Sequence, residues 1–218
     1  MIRLDLHTHS EASADGGIGP EEFADILQNE TLDLVAITDH NRIDFALGMQ
    51  KALGEKLIIV GEEITAQECE IIGLYLSSVI EPGMSASDTI DAIKAQNGLV
   101  YIPHPFEKVR KGIQLELLNK LKDKIDIIEV NNGRTLSTKH SVSAQSWSIK
   151  NKIASVSSSD AHGKAGIGRT YTILEERPTR VSLLADLTNA THVYARPPLR
   201  SYLYPKINRF KKMIRGQG

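Results

Sequence analysis

The sequence predicts an α/β fold in which a mostly parallel sheet is covered by helices. Short apolar runs recur along the chain, amphipathic stretches separate most of them, and histidine and acidic residues gather where the apolar runs stop. Repeated strand and helix units with short connections imply parallel pairing, because the intervening helix carries the chain back to the starting edge of the sheet.

The first strand is residues 2–9, IRLDLHTH. Side chains alternate with period two along a strand, so Ile2, Leu4 and Leu6 fall on one face and Arg3, Asp5, His7 and His9 on the other. Residues 20–28 form the first helix, opened by Pro20, Glu21 and Glu22, whose fixed φ and acidic first turn suit a helix N-terminus. A strand at 34–38 and a helix at 44–53 follow, then strands at 57–61 and 71–76. The run Ser85, Ala86, Ser87, Asp88 starts a helix at 85–96. Strand 99–102, helix 113–121, strand 125–130, a helix over roughly 139–150 and strand 153–156 complete the alternation. Most of these strands are near-continuous apolar runs, the pattern of strands buried on both faces.

The chain has 218 residues, 41% hydrophobic and 24% charged, enough for one substantial core and short for two. A net charge of −1 excludes a globally basic nucleic-acid binder. The single cysteine, Cys69, excludes an internal disulfide framework and fits a reducing compartment. Strand alternation turns it away from its neighbour Glu70, as a small buried thiol. No basic segment leads into an apolar stretch at the start, and no run approaches the roughly 20 apolar residues of a membrane span, so the expected location is the cytoplasm.

His7 and His9 share one strand face, and two neutral imidazoles so held are half of a metal site. The rest of such a site appears at other strand ends: Thr38-Asp39-His40-Asn41, Gly61-Glu62-Glu63, His104-Pro105, Glu129 in IIEVNN, and Ser159-Asp160-Ala161-His162. In a parallel barrel or an open α/β sheet these ends share one face, where active sites are built. Five of the seven histidines stand there.

The ordered motifs HTHS, TDHN, HP and SDAH, spanning His7 to His162, resemble those of the polymerase and histidinol phosphatase (PHP) phosphoesterases. The resemblance implies a distorted (β/α)7 barrel with two or three divalent ions at the C-terminal face of its strands. Residues 1–198 would form the barrel and 199–218 a basic helix or tail of the same domain. One ion would take His7, His9 and Asp160, with Glu63 bridging to a second held also by His104. A third would take His40 and His162, with Asp15 where some relatives have histidine. Glu63 is preferred to Glu62 because the family carboxylate usually stands two residues after a glycine and Glu62 would face the other side. Where relatives often place a histidine, Glu70 stands, as a second-ion ligand or a strand-edge surface residue. With Asp15 and Glu70 replacing imidazoles, the shell favours manganese or ferrous iron and still accommodates zinc.

Such a cluster would hydrolyse phosphate esters by attack of a metal-bridging hydroxide, with no Ser or Cys nucleophile required. Arg110 and Arg134 stand where the family often places phosphate-binding arginines. Lys164 and Arg169 flank the GKAGIGR loop as further substrate-binding candidates, or as solvated loop charges. Asp39 would accept the second N–H of a ligand imidazole or protonate the leaving group. His140 and His192 match no motif. The free-standing barrel with HPFEKVR resembles the branch acting on nucleotide phosphates or the 5′ ends of short RNA, with short RNA or DNA as a further partner. No insertion fits between His40 and His104 or between Glu129 and Asp160, which favours small substrates. Histidinol phosphate is the alternative substrate; an amidohydrolase-like metalloenzyme and a non-catalytic nucleotide-binding barrel are the other classes. The tail carries Arg200, Lys206, Arg209, Lys211, Lys212 and Arg215 without an acid, and Ile207, Phe210 and Ile214 recur at helical spacing. That pattern suits a nucleic-acid backbone or an anionic membrane, and equally a helix packed on the barrel with its charges in water.

Overall fold

A computed structural model describes residues 1–214; Arg215 and the rest of the tail to Gly218 lie outside the described residues. Seven strands form the main wall: β1 (Ile2–Thr8), β2 (Leu34–Ile37), β3 (Ile58–Thr65), β4 (Glu70–Leu74), β5 (Leu99–Ile102), β6 (Ile127–Asn132) and β7 (Ala154–Ser158). Two short strands, β8 (Tyr171–Leu174) and β9 (Thr191–Val193), extend it, in the order β7-β6-β5-β4-β3-β2-β1-β8-β9. The sheet curls until its ends meet. Asp160 N donates to His7 O and His9 N to Ala161 O, both at 2.9 Å, joining the chain beyond β7 to β1 in a nearly closed barrel.

The barrel departs from a strict strand and helix alternation. β3 runs on to Thr65 and turns directly into β4 through a hairpin in which Ala66 N donates to Cys69 O. β4 is therefore antiparallel to both β3 and β5, and β8 is antiparallel to β1 and β9. The parallel pairings are β1–β2, β2–β3, β5–β6 and β6–β7, so parallel and antiparallel pairs are balanced. β8 and β9 were not expected from the sequence; four and three residues long, they carry too short a pattern to register.

Two apolar layers follow from alternation. Outside the sheet, Phe23 and Ile26 of α1 (Pro20–Gln28), Met49 of α2 (Asp44–Leu53), Ile90 and Ile93 of α3 (Ala86–Ala95), Leu118 of α4 (Leu115–Leu121) and Trp147 of α5 (Thr138–Asn151) pack on Val35, Val60, Ile102 and Ile128. Inside, Leu4, Leu6, Ile59, Ile72, Tyr101, Ile127 and Val156 fill the barrel, floored by Leu183 of α6 (Leu183–Asp186) and by Leu187. Cys69 belongs to the outer layer and is fully buried.

The interior corrects one expectation. In the register of β1 with β2, Asp5 pairs with Val35 but Thr8 with Ile37, three residues against two. This bulge reverses the alternation, so His7 and His9 turn to the interior side that Leu4 and Leu6 occupy, not the opposite one. A second bulge in β6, between Glu129 and Asn131, brings Glu129 and Asn132 to the same pole.

Candidate metal centre

All nine expected ligands converge at one mouth of the barrel. His7 and His9 come from the end of β1, Asp15 from the loop beyond it, His40 from the end of β2, Glu63 from β3, His104 from beyond β5, and Asp160 and His162 from beyond β7. Because β4 runs backwards, its first residue, Glu70, stands at this mouth. His104 and Asp160 hold left-handed backbone, φ 27° and 51°, conformations that cost about 1–3 kcal/mol each where the surroundings impose them.

Glu63 is the hub. One carboxylate oxygen, Oε2, lies 3.3 Å from His7 Nε2, 3.2 Å from His9 Nε2 and 3.4 Å from His40 Nδ1, and the other, Oε1, lies 2.9 Å from His104 Nε2. Glu70 stands 3.6 Å from His104 and 3.9 Å from His40. Asp160 Oδ1 reaches His9 at 3.5 Å and His162 Nδ1 at 3.3 Å, and Asp15 Oδ1 reaches His162 Nε2 at 3.4 Å. Four overlapping groups each offer ligand atoms within 4.8 Å of one another: His9, Asp15, His40 and His162; His7, His9 and Glu63; His7, His104 and Asp160; His40, Glu63 and Glu70. His9 thus belongs to the third-ion group as well as the first.

The donor set fits cations. His7 Nε2 and His9 Nε2, on two fully buried rings, point at each other across 3.1 Å, an arrangement natural for lone pairs aimed at a shared ion. Among the described residues, His9 Nδ1 and His104 Nδ1 have no hydrogen-bond partner. Burial, reinforced by Glu63 and Asp160, pushes the Glu70 carboxyl up to about 8. Burial and then the His9 charge pull His162 down to about 4, leaving the lone pair of its unprotonated nitrogen free to ligate. His9 is buried too, but hydrogen bonding to Asp160 and Glu63 prevails and raises it to about 9.

The groups around this cage differ in part from expectation. Asp39 accepts no imidazole N–H; its oxygens take Ser10 N at 2.7 Å and Ser10 Oγ at 2.5 Å, fixing the turn after β1. The orienting acceptor is Glu129, which sequence reasoning placed at a strand end but gave no role. Its Oε1 accepts from His7 Nδ1 at 3.2 Å and Tyr101 Oη at 2.6 Å, and its Oε2 from His104 N at 2.6 Å and Asn132 Nδ2 at 2.8 Å. With its Nδ1 proton so held, His7 presents a free Nε2 lone pair.

Arg110 and Arg134 both reach the cage. Both guanidinium groups donate to Asp160, Arg134 at 3.3 Å, and Arg134 Nε is buried without a partner among the described residues. Lys164 does not reach the site; it pairs with Asp25 of α1 at 3.0 Å. Arg169 is exposed and lines no part of the cleft. The loop after β7 carries them to the outer surface. In their place, the cleft of about 400 Å³ over the cage is walled by Lys111 and by Tyr202, Lys206 and Arg209 from the C-terminal segment, whose helix α7 spans Tyr204–Ile214. Tyr202 Oη is buried and has no hydrogen-bond partner among the described residues. The basic run marked this segment as notable, but nothing in it showed where it docks. His192 bonds Ser155 and Ser157, and His140 lies outside the cage.

Residues 142–191 match a family described as PHP-associated. An uncharacterized protein of Methanocaldococcus jannaschii is 34% identical over 125 residues, 51% of this chain and 72% of that protein. A two-domain protein from Bacteroides vulgatus, containing a predicted PHP-like metal-dependent phosphoesterase, superposes with a TM-score of 0.69 at 20% identity, covering 95% of this chain and 69% of that one. The lesion-specific endonuclease EndoQ of Pyrococcus furiosus superposes with a TM-score of 0.61 at 15% identity, covering 88% and 57%. At such identities the likeness to the solved structures is one of fold. The matched segment, the archaeal relative and the barrel with its cage agree: the chain belongs to the PHP superfamily.

Proposed function

We propose that the protein is a metal-dependent phosphoesterase acting on nucleotides or short oligonucleotides. One observation carries the reading: a buried cage of imidazoles and carboxylates opens directly beneath Arg110 and Arg134, which both donate to the cage residue Asp160. His7, His9, Glu63 and Asp160 would hold one cation, His104 and Glu70 with Glu63 a second, and His40, His162 and Asp15 a third. When bound, these ions acidify a water and neutralise charge at phosphorus. Manganese or ferrous iron suits the carboxylate share best.

The chain's own groups do the rest. Arg134 holds its Nε free, and a guanidinium fork is the side-chain geometry that matches phosphoryl oxygens. Glu129 keeps the His7 proton on Nδ1, away from the cage. Tyr202 lines the cleft, and its unpartnered hydroxyl would serve as a donor to the substrate. Lys111, Lys206 and Arg209 make the rim cationic, which suits an anion longer than one phosphate. The stretches 41–103 and 130–159 are taken up by barrel strands and their helices, leaving a short-walled cleft for small substrates. A lesion-specific endonuclease among the structural neighbours is consistent with a nucleic-acid phosphodiester as ligand.

The test is a panel with added manganese: nucleoside monophosphates, 3′,5′-bisphosphates, histidinol phosphate, a phosphotyrosine peptide and short RNA. Turnover of nucleotides or RNA ends is expected. Faster turnover of histidinol phosphate would replace the substrate, and no turnover at all would favour a binding barrel.

A further inference from the structure

The loop that carries Asp15 has little structure of its own. Between β1 and α1, Glu11 N donates to Ile18 O, Ser13 N to Ser10 O, and Ser13 Oγ to Asp15 Oδ1 at 3.3 Å. α7 supplies what the loop lacks. Arg209 Nη2 donates to Asp15 Oδ2 at 2.8 Å, while Oδ1 faces His162 and His40. Asn208 Nδ2 donates to the backbone carbonyls of Asp15 at 2.9 Å and His162 at 3.0 Å, so one amide ties two ligand-bearing loops together. Lys212 Nζ gathers the carbonyls of Glu11, Ser13 and Gly16. Two glycines permit the approach: a Cβ on Gly17 would lie 2.8 Å from Asn208 Nδ2, and one on Gly163 2.8 Å from the Tyr204 ring.

We infer that α7 is part of the metal centre: Arg209 and Asn208 are positioning residues that hold Asp15 and His162 as ligands for a third cation beside His40 and His9. A carboxylate with one oxygen already engaged presents the other in a fixed direction, and a ligand loop clamped beforehand loses less freedom when the ion arrives. Arg209 is 65% exposed and Asp15 4%, so the bond reaches from solvent onto a buried carboxylate. The inference rests on the proposed cation dependence for the presence of ions, and on nothing about the substrate.

The experiment uses the full chain, stripped by chelation and titrated with manganese. Stepwise affinities come from calorimetry and retained equivalents from elemental analysis, with thermal unfolding of each stripped protein alongside. Wild type is expected to bind three ions. R209Q and N208A should bind two as wild type does and the third about tenfold or more weakly, with D15N behaving alike and R209K intermediate, since lysine restores the charge but not the fork. Three unchanged binding steps in R209Q and N208A overturn the inference. So does uniform weakening of all three steps that tracks a lowered unfolding temperature, because α7 would then serve the fold alone. A wild type that binds only two ions, with D15N unchanged, also overturns it. Three well-behaved ions without turnover on any phosphate ester would instead defeat the functional reading and leave this one standing.

Discussion

Glu129→Gln separates the cage's orientation from its ligand set. The carboxylate accepts four hydrogen bonds, two at each oxygen, and its charge is held because His7, despite burial of the acid, keeps it below its usual range. Glutamine must place an NH2 at one end. At the Oε2 end it would meet His104 N and Asn132 Nδ2, two donors, and Asn132 cannot simply flip, because its Oδ1 already accepts from Arg110 and Arg134 N. At the Oε1 end Tyr101 can turn to accept, since its hydroxyl has Ser158 Oγ at 3.1 Å to donate to. His7 must then accept at Nδ1 and carry its proton on Nε2, the atom facing Glu63 and His9. The cheaper orientation of the amide is therefore the one that blocks a ligand.

Two outcomes follow with magnitudes. Losing charge-assisted acceptance costs about 1–3 kcal/mol of stability, which for a chain of this size lowers the unfolding temperature by about 2–12 °C at 2–4 °C per kcal/mol. Displacing the orienting acceptor should weaken cation binding about 10–100-fold, or about 1.4–2.8 kcal/mol. Differential scanning calorimetry on the stripped protein reads the first and manganese titration the second. Wild-type affinity in Glu129→Gln, with its folded structure intact, would refute the claim that Glu129 sets the His7 tautomer.

Other outcomes are expected. His9→Ala should abolish turnover and leave the fold nearly intact, as the ring bonds through Nε2 to other cage residues and Nδ1 has no partner among the described residues; retained phosphatase activity would contradict the site. Adding manganese to the stripped protein at about 100 times its Kd should stabilise it by about 2.7 kcal/mol per site, roughly 5–10 °C, and an unchanged melting curve would deny the cage its ions. Tyr202→Phe should reduce kcat/KM about three- to tenfold with metal content and unfolding temperature unchanged, because its hydroxyl has no protein partner to lose; unaltered kinetics would remove Tyr202 from the cleft's chemistry. His192 is half-buried between Ser155 and Ser157, and burial holds it below its ordinary 6.5. The unfolded chain therefore binds the extra proton first: this stability is complete above about pH 6.5 and is lost as pH falls through the lowered folded value. His192→Gln should lose less stability than wild type on acidification, and parallel curves would refute it.

Much of the cage was legible because its residues lie at strand ends, and strand ends in an α/β barrel share a face whatever the details of packing. His7, His40, His104, Asp160 and His162 needed only that topology, whereas the choice of Glu63 over Glu62 came from the family's glycine spacing. Glu70 was harder, since it sits at the start of its strand; it reaches the mouth because β4 runs backwards, a reversal set by the short hairpin from Ala66 to Cys69. Glu129, Asn208 and Arg209 escaped a role because a long-range hydrogen bond leaves no local pattern: Arg209 and Asp15 are 194 positions apart. Lys164 and Arg169 failed for the opposite reason, as closeness in sequence to SDAH does not survive a loop that turns outward.

The histidines themselves show how a right conclusion can rest on an incomplete premise. Faithful alternation would have set His7 and His9 against the helix layer, opposite Leu4 and Leu6; the bulge in β1 turns them inward. A bulge removes ladder partners from backbone N–H groups, and a buried strand must find them others. Asp5 supplies one: its Oδ1 accepts from His7 N at 3.3 Å and from Ser159 N at 3.0 Å, and the residue is fully buried. An aspartate buried in mid-strand is costly unless a backbone donor needs it. Its place two residues before the HTH motif is thus the one local sign that β1 changes phase there, and it is the same short acid that pins β1 to the chain bearing Asp160. The residue that corrects the strand also closes the barrel around the cage.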